Sequence, residues 1–324
     1  MPSSHFLTAG LIAAAAIPVA VVAAPTAAVP TGGEANFTGP LVTPAVNTLP
    51  AGMINVEPYL IHTNARGWFD GDGDRHAEKP TLRQWQVALP MTYGLTDTIS
   101  VQLTLNAART SVDGRHSDGM RMGDSTLRVQ SRLTAPHADG TGLVLAVSAA
   151  QRLATGEYHH LDNNPLNGMG TGAMRTTFAF GAQQLHWLDN GHALRWRGQL
   201  AWSPAPARVR LRGQNVYGTP KGFRGYAAPG QAWSASLAAE YVLDRHWVLV
   251  GEAIWNRESG TRLKGAAEGH WAYTSPSNHA LSLAPALEYH FNPKVGLIAG
   301  VQFTVGGRNA TDYVAPQVAL NMVF

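Results

Sequence analysis

The sequence predicts an all-β fold, a transmembrane antiparallel β-barrel of about twelve strands with short periplasmic turns and long extracellular loops. Three observations carry this. Apolar and polar residues alternate with period two along most of the chain. Connection length sorts by strand parity, mostly short after even strands and long after odd ones, with Gly307-Arg308-Asn309-Ala310 the one short odd connection. The last strand-like run sets Phe324, Met322, Leu320, Val318, Pro316 and Val314 on one parity, and Gln317 and Asn321 on the other. An unpaired edge strand is a liability in water, and barrel closure removes the edge.

In chain order, residues 1–23 read as a signal peptide. Residues 8–24 are an apolar, alanine-rich run, too short and too early for a membrane helix. Val21-Val22-Ala23 offers an A-x-A-like cut before Ala24, although the opening Met-Pro-Ser-Ser-His lacks Lys and Arg. The chain has 0 Cys, which fits an exported protein without a disulfide framework or a lipoprotein anchor. Residues 24–51, rich in Pro, Ala and Gly, cannot be a strand. They are expected on the periplasmic side, either disordered or tucked into the lumen as a plug. The barrel is expected over 52–324.

Candidate strands fall at about 53–64, 82–94, 98–109, 124–134, 142–154, 173–187, 193–203, 231–242, 246–256, 280–291, 295–306 and 312–324. The second sets Trp85, Val87, Leu89, Met91 and Tyr93 against Gln84, Gln86, Ala88 and Thr92; the third sets Ile99, Val101, Leu103 and Leu105 against Ser100, Gln102, Thr104 and Asn106. Pro58, Pro90, Pro285 and Pro316 fall inside strands, so bulges are expected there. Gln183-Gln184 breaks the parity of strand six, and Gln151 sits on the lipid side of strand five. Short turns such as Asp189-Asn190-Gly191 and Asp244-Arg245 define one rim. Loops at about 65–81, 110–123, 155–172, 204–230 and 257–279 define the other.

Composition narrows the class. After the N-terminal run no stretch of 18 apolar residues recurs, so no membrane helix is available. A net charge of +3 without a Lys-rich run argues against nucleic acid. Charged residues at only 14%, with 34 Gly, 9 Trp and 9 Tyr, suit strands that face lipid on one side and water on the other.

Parity turns Arg128, Arg132, Arg152, Arg175, Arg195 and Arg197 into the lumen from strands four to seven. Glu57, Glu240, Glu252 and Glu288 enter from strands one and eight to ten. One wall is therefore expected to be basic and the opposite wall acidic. Two readings follow: a wet pore with a transverse field, or an ion-pair network that fills a narrow barrel. Arg128, Arg132, Arg175, Arg195, Arg197, Glu57, Glu240, Glu252 and Glu288 are the candidate solute contacts, and the excess of Arg favours an anionic solute.

The loops add weaker candidates. Asp70-Gly71-Asp72-Gly73-Asp74 opens like a calcium loop but has Arg75 at the sixth position and no Glu at the twelfth, so a solvated turn is expected. Glu157, His159, His160 and Asp162 carry metal-ligand chemistry without a diagnostic spacing. Arg208, Arg210, Arg212, Lys221 and Arg224, among Tyr217, Phe223 and Tyr226, either constrict the mouth or meet lipopolysaccharide phosphates; Trp271 and Tyr273 are candidates for the same uses. No cofactor and no metal is expected.

Five segments carry a resemblance: Gly39-Pro40-Leu41-Val42-Thr43-Pro44, Thr48-Leu49-Pro50-Ala51-Gly52, Val56-Glu57-Pro58-Tyr59, Tyr93-Gly94-Leu95-Thr96-Asp97 and Gly123-Asp124-Ser125-Thr126-Leu127-Arg128. The chain over about 39–133 resembles outer-membrane proteins grouped as the phenol-degradation meta-pathway transporter family. The resemblance implies a barrel that admits small, often aromatic, organic compounds, and it carries over no catalytic or binding residues. Glu57 and Arg128 lie in the matching segments and face the lumen, which makes them candidates for a gate or filter. The expected function is a passive outer-membrane channel, not an enzyme. Its expected partners are outer-membrane lipid and lipopolysaccharide, the barrel assembly machinery through Phe324, and a small-molecule solute. The rivals are a closed structural or adhesive barrel and a lipid hydrolase. The hydrolase would need a Ser-His pair, such as His279 with Ser282 or His116 with Ser117, and no G-x-S-x-G elbow is present.

Overall fold

The computed structural model describes residues 35–324, so the signal-peptide expectation for 1–23 lies outside the described residues. Strand β1 runs in two pieces, Ile54–Val56 and Tyr59–Phe69, and is followed by β2 (Arg75–Thr96), β3 (Ile99–Val112), β4 (Ser125–Arg132), β5 (Gly142–Leu153) and β6 (Arg175–Trp187). Then come β7 (Ala193–Ser203), β8 (Ala232–Val242), β9 (Trp247–Glu258), β10 in two pieces (Asn278–Leu283 and Ala286–Asn292), β11 (Val295–Arg308) and β12 (Ala310–Val323). Each pairs antiparallel with its neighbours in sequence, and β12 pairs back onto both pieces of β1, so the sheet closes. At the seam the Ile54 N–H donates to the Phe324 carbonyl (3.1 Å) and the Phe324 N–H to the Ile54 carbonyl (2.8 Å).

Burial is inverted relative to a water-soluble fold. Trp85 (50% exposed), Leu200, Leu237, Leu249 and Leu287 lie bare on the outside, while Gln102, Thr104, Gln130, Arg197 and Glu240 are buried within. Aromatic residues ring the outer face. Phe178, Trp202 and Trp233 stack across β6, β7 and β8 near one rim, and Trp247, Tyr289 and Phe291 cluster near the other. An apolar belt between aromatic girdles, around a polar interior with no free sheet edge, is the architecture of a bacterial outer-membrane barrel. The chain resides in that membrane. Two outward polar groups satisfy each other: the Thr176 hydroxyl donates to Gln151 Oε1 (2.7 Å).

Two expectations need correction. The segment 65–81 is not a long loop, because β1 and β2 continue beyond the belt as a hairpin that turns only at 70–74. In that extension Ala65, Gly67 and Phe69 are buried while Arg66 and Trp68 are exposed, so burial alternates but residue polarity does not follow it. The strands also treat their prolines differently. Pro58 and Pro285 interrupt β1 and β10, whereas Pro90 and Pro316 stay inside an unbroken register, opposite Thr104 and Val301. The missing N–H of each weakens a ladder without bending it.

Above the barrel, the loops that follow β7 and β9 pair with one another. Their strands Val209–Arg212, Arg224–Ala228, Arg262–Ala266 and His270–Thr274 form a separate four-stranded antiparallel sheet. Its buried face, with Leu211, Phe223, Ala227 and Leu263, packs on Tyr158, Ala173 and Tyr217. The loop between β5 and β6 includes a short 3-10 turn, Pro165–Asn167. That loop bends inward, and Met169 Sδ reaches Gln84 (3.7 Å) and Thr110 (3.8 Å) on β2 and β3.

Candidate functional site

The lumen is the candidate site, and residues 35–50 run through it. This stretch, Ala-Asn-Phe-Thr-Gly-Pro-Leu-Val-Thr-Pro-Ala-Val-Asn-Thr-Leu-Pro, has no charged side chain, and its three prolines prevent it from adding a strand to the wall. Phe37, Leu41, Val42, Val46 and Leu49 are all buried. An extended segment crossing a barrel carries main-chain N–H groups that need acceptors. The wall supplies them. Thr38 and Gly39 N–H donate to the two oxygens of Glu288 (2.6 and 3.0 Å), while Val42 and Thr43 N–H donate to Glu252 (3.1 and 2.6 Å). Further along, the Gln130 amide donates to the Val46 and Asn47 carbonyls (both 3.0 Å), and Leu49 N–H donates to Ser100 Oγ (2.8 Å).

The wall is shaped for the segment. A Cβ on Gly296 would lie 2.3 Å from Thr38 Oγ1, and one on Gly94 would lie 2.0 Å from the Pro50 carbonyl. Glycine at these two positions lets the segment lie close against β11 and β2. The Arg195 guanidinium sits 3.7 Å from the Phe37 ring centroid, a cation–π contact across the lumen. All these anchors belong to the half of each strand nearest the short turns, so residues 35–50 occupy the periplasmic half of the lumen.

The charged side chains named from sequence are distributed as follows. Arg195 and Arg197, both on β7, converge on Glu240 of the adjacent strand β8, at 2.5 and 3.1 Å. The basic and acidic walls therefore meet at the β7–β8 boundary and neutralise there, instead of facing one another across open water. Glu252 and Glu288 are taken by the inner segment, and His290 Nε2 lies 3.2 Å from Glu288. Glu57 accepts from the Tyr59 hydroxyl (3.2 Å). Arg175 pairs with Glu258 (2.6 Å) near the extracellular end, and Arg152 lies 3.8 Å from Asp124. Arg128 contacts the Gln130 side chain, and neither Arg128 nor Arg132 forms an ion pair among the described residues. The four carboxylates and the β7 arginines thus form one periplasmic-side cluster with the inner segment, while β4 keeps two unpaired cations.

The loop candidates resolve into turn chemistry. Asp70 Oδ1 accepts the N–H groups of Asp72, Gly73 and Asp74 (2.9 Å each), and His76 Nε2 lies 2.8 Å from Asp70 Oδ2. The His76 contact, followed by the turn N–H groups, lowers the Asp70 pKa to about 2. Glu157 pairs with Arg121, the His159 ring stacks on Tyr158 at 4.2 Å, and Asp162 caps Gln214. Among the described residues no group of three His, Cys, Asp or Glu is arranged to hold a metal.

No protein-family model and no curated relative matches this chain. Among solved structures the chain is similar to a COG4313 outer membrane channel from Pseudomonas putida F1, at 15% identity over 86% of this chain and 98% of that one, with a TM-score of 0.61. It is also similar to the translocator domain of autotransporter NalP from Neisseria meningitidis, at 12% identity over 85% and 89% of the two chains with a TM-score of 0.44. The transport unit of autotransporter AIDA-I from Escherichia coli gives 11% identity over 83% and 90%, with a TM-score of 0.45. The first of these likenesses bears out the barrel fold.

Proposed function

We propose that this barrel is an outer-membrane channel for small organic solutes, and that residues 35–50 are the element that must shift for a solute to pass. The observation that carries this is the way the segment is held. It is uncharged, and its main chain docks on the Glu252 and Glu288 carboxylates through hydrogen bonds that can exchange with water. A barrel built only as a scaffold could fill its interior with wall side chains, as small barrels do. The unpaired Arg128 and Arg132 on β4 favour a carboxylated solute. The resemblance of residues 39–133 to phenol-degradation pathway transporters, and the likeness to a solved channel, support the same reading.

Liposome swelling tests it. Vesicles carrying the full chain are expected to admit benzoate faster than neutral sugars of similar size, and vesicles carrying a chain lacking residues 35–50 to admit both faster. The second reading, a closed barrel acting through its loops, is favoured by the filled lumen. It predicts no swelling from the full chain with any solute. Release of fatty acid from phospholipid vesicles would instead mark a hydrolase.

A further inference from the structure

The four-stranded sheet above the barrel sorts its residues by face. Register places Arg210 opposite Tyr226 and Tyr226 opposite Lys264; it places Arg212 opposite Arg224, and Arg262 opposite Ala228. Since alternate residues share a face, Arg208, Arg210, Arg212, Arg224, Arg262 and Lys264 all lie on the side away from the buried Val209, Leu211 and Leu263. All six are exposed. The remaining register partners on this face are Tyr226, Ala228, Ala266, His270, Ala272 and Thr274, so it carries no acid.

Like charges directly opposite each other destabilise a sheet, and Arg212 faces Arg224 without relief. Three other cations of the extracellular region find internal partners, Arg66 and Arg75 sharing Asp312 and Arg121 pairing with Glu157, whereas Arg115 and Arg308 do not among the described residues. None of the six cations on the sheet forms an ion pair among the described residues. At the centre of the array is an aromatic ring, with the Arg208 guanidinium 4.8 Å from the Tyr226 centroid and Arg210 and Lys264 on the two neighbouring strands.

We propose that this face binds the phosphorylated sugars of lipopolysaccharide in the surrounding outer leaflet. Arginine forks pair bidentately with phosphate, and the Tyr226 ring offers a surface on which a sugar packs. The partner is assigned by placement. The opposite face of the sheet covers Tyr158 and Ala173 of the loop that bends into the mouth, so the cations face away from that loop and from the solute path below it. Four strands spaced roughly 4.8 Å apart spread the charge over a width that suits several linked phosphates better than a single carboxylate.

The test uses the full chain in detergent micelles, titrated with fluorescently labelled lipopolysaccharide and with the same material after enzymatic dephosphorylation. The intact form is expected to bind, and the dephosphorylated form to bind about tenfold more weakly, the scale of losing one charge-assisted hydrogen bond. A double variant, Arg210→Glu with Lys264→Glu, should show a similar loss, while Arg210→Lys, which keeps the charge but not the fork, should lose less. Heat-modifiable electrophoretic mobility verifies that each variant still forms a barrel. Equal binding of the two lipopolysaccharide forms would overturn the proposal. So would unchanged affinity in the charge-reversed variant, or displacement of the lipopolysaccharide by millimolar benzoate, which would assign the face to solute capture.

Discussion

Glu240 is the residue on which the periplasmic half of the lumen depends most. It is fully buried and accepts from both Arg195 and Arg197, so its loss leaves two guanidinium groups buried without a counter-charge. Removing one partner of a buried ion pair costs about 3–5 kcal/mol. Glu240→Gln is therefore expected to lower the unfolding free energy of the barrel by that order, seen as a lower denaturant midpoint when heat-modifiable mobility is read across a urea series. Glu252 and Glu288 carry a different load, since their acceptors serve the inner segment. Hydrogen bonds to charged groups contribute about 1.5–3 kcal/mol each. The double variant Glu252→Gln with Glu288→Gln should keep the barrel and raise single-channel conductance. Unchanged conductance would mean that apolar contacts alone hold the segment.

At the extracellular tip, Asp70 has a folded pKa of about 2, depressed by its His76 contact and by three turn N–H groups. A depressed carboxyl contributes stability above its unfolded pKa and loses it as pH falls through the folded one. The 70–74 turn should thus stay ordered at about pH 4 and fray as pH drops toward 2. A carboxyl titration followed by NMR checks this, and a midpoint near the unperturbed aspartate value would refute it.

Among the elements, the inner segment and the extracellular sheet were the least legible from sequence. The barrel strands were plain because one face meets lipid and the other water, and that contrast writes itself as alternation in stretches such as Trp85–Tyr93. In the β1–β2 extension one face, with Ala65, Gly67 and Phe69, is buried, but a glycine on that face and Trp68 on the exposed one hide the alternation. The sequence left residues 24–51 either disordered or tucked into the lumen, and could not choose, because the anchors of residues 35–50 are main-chain N–H groups, which every non-proline residue carries. The glycines at 94 and 296 were visible, but a glycine does not announce what approaches it. Parity named Glu252 and Glu288 correctly as inward-facing, yet it gave no hint that their partner is backbone. The sheet did leave a trace: Arg208-Val209-Arg210-Leu211-Arg212 alternates cation and aliphatic with period two, a strand pattern hidden inside what looks like a loop. The wall glycine offers a direct test of the inner element. Gly296→Val puts carbon where Thr38 Oγ1 now lies, and it should displace the segment's first anchor and raise conductance while β11 stays paired.

For the molecule as a whole, the cylinder is closed by main-chain pairing and crossed by a strap that is not part of the wall. The wall does not require the strap in order to close, since every neighbouring pair of strands, including β12 with β1, is hydrogen-bonded independently of residues 35–50. A chain lacking those residues should therefore still assemble, migrate as a compact barrel before heating, and conduct in larger steps than the full chain. Failure to assemble would show that the strap is a structural part of the fold.

The strap also has a bearing on the order of assembly. Thr38 bonds to Glu288, 250 positions further along the chain. Residues made early in synthesis thus find their last acceptors on a strand made near the end. Contacts so distant in sequence form late and slowly. The cylinder must either roll up around a strap already lying across the growing sheet or admit it through the periplasmic opening after closure. In the first case, altering the strap changes how fast barrels mature; in the second, it changes only what the finished barrels let through.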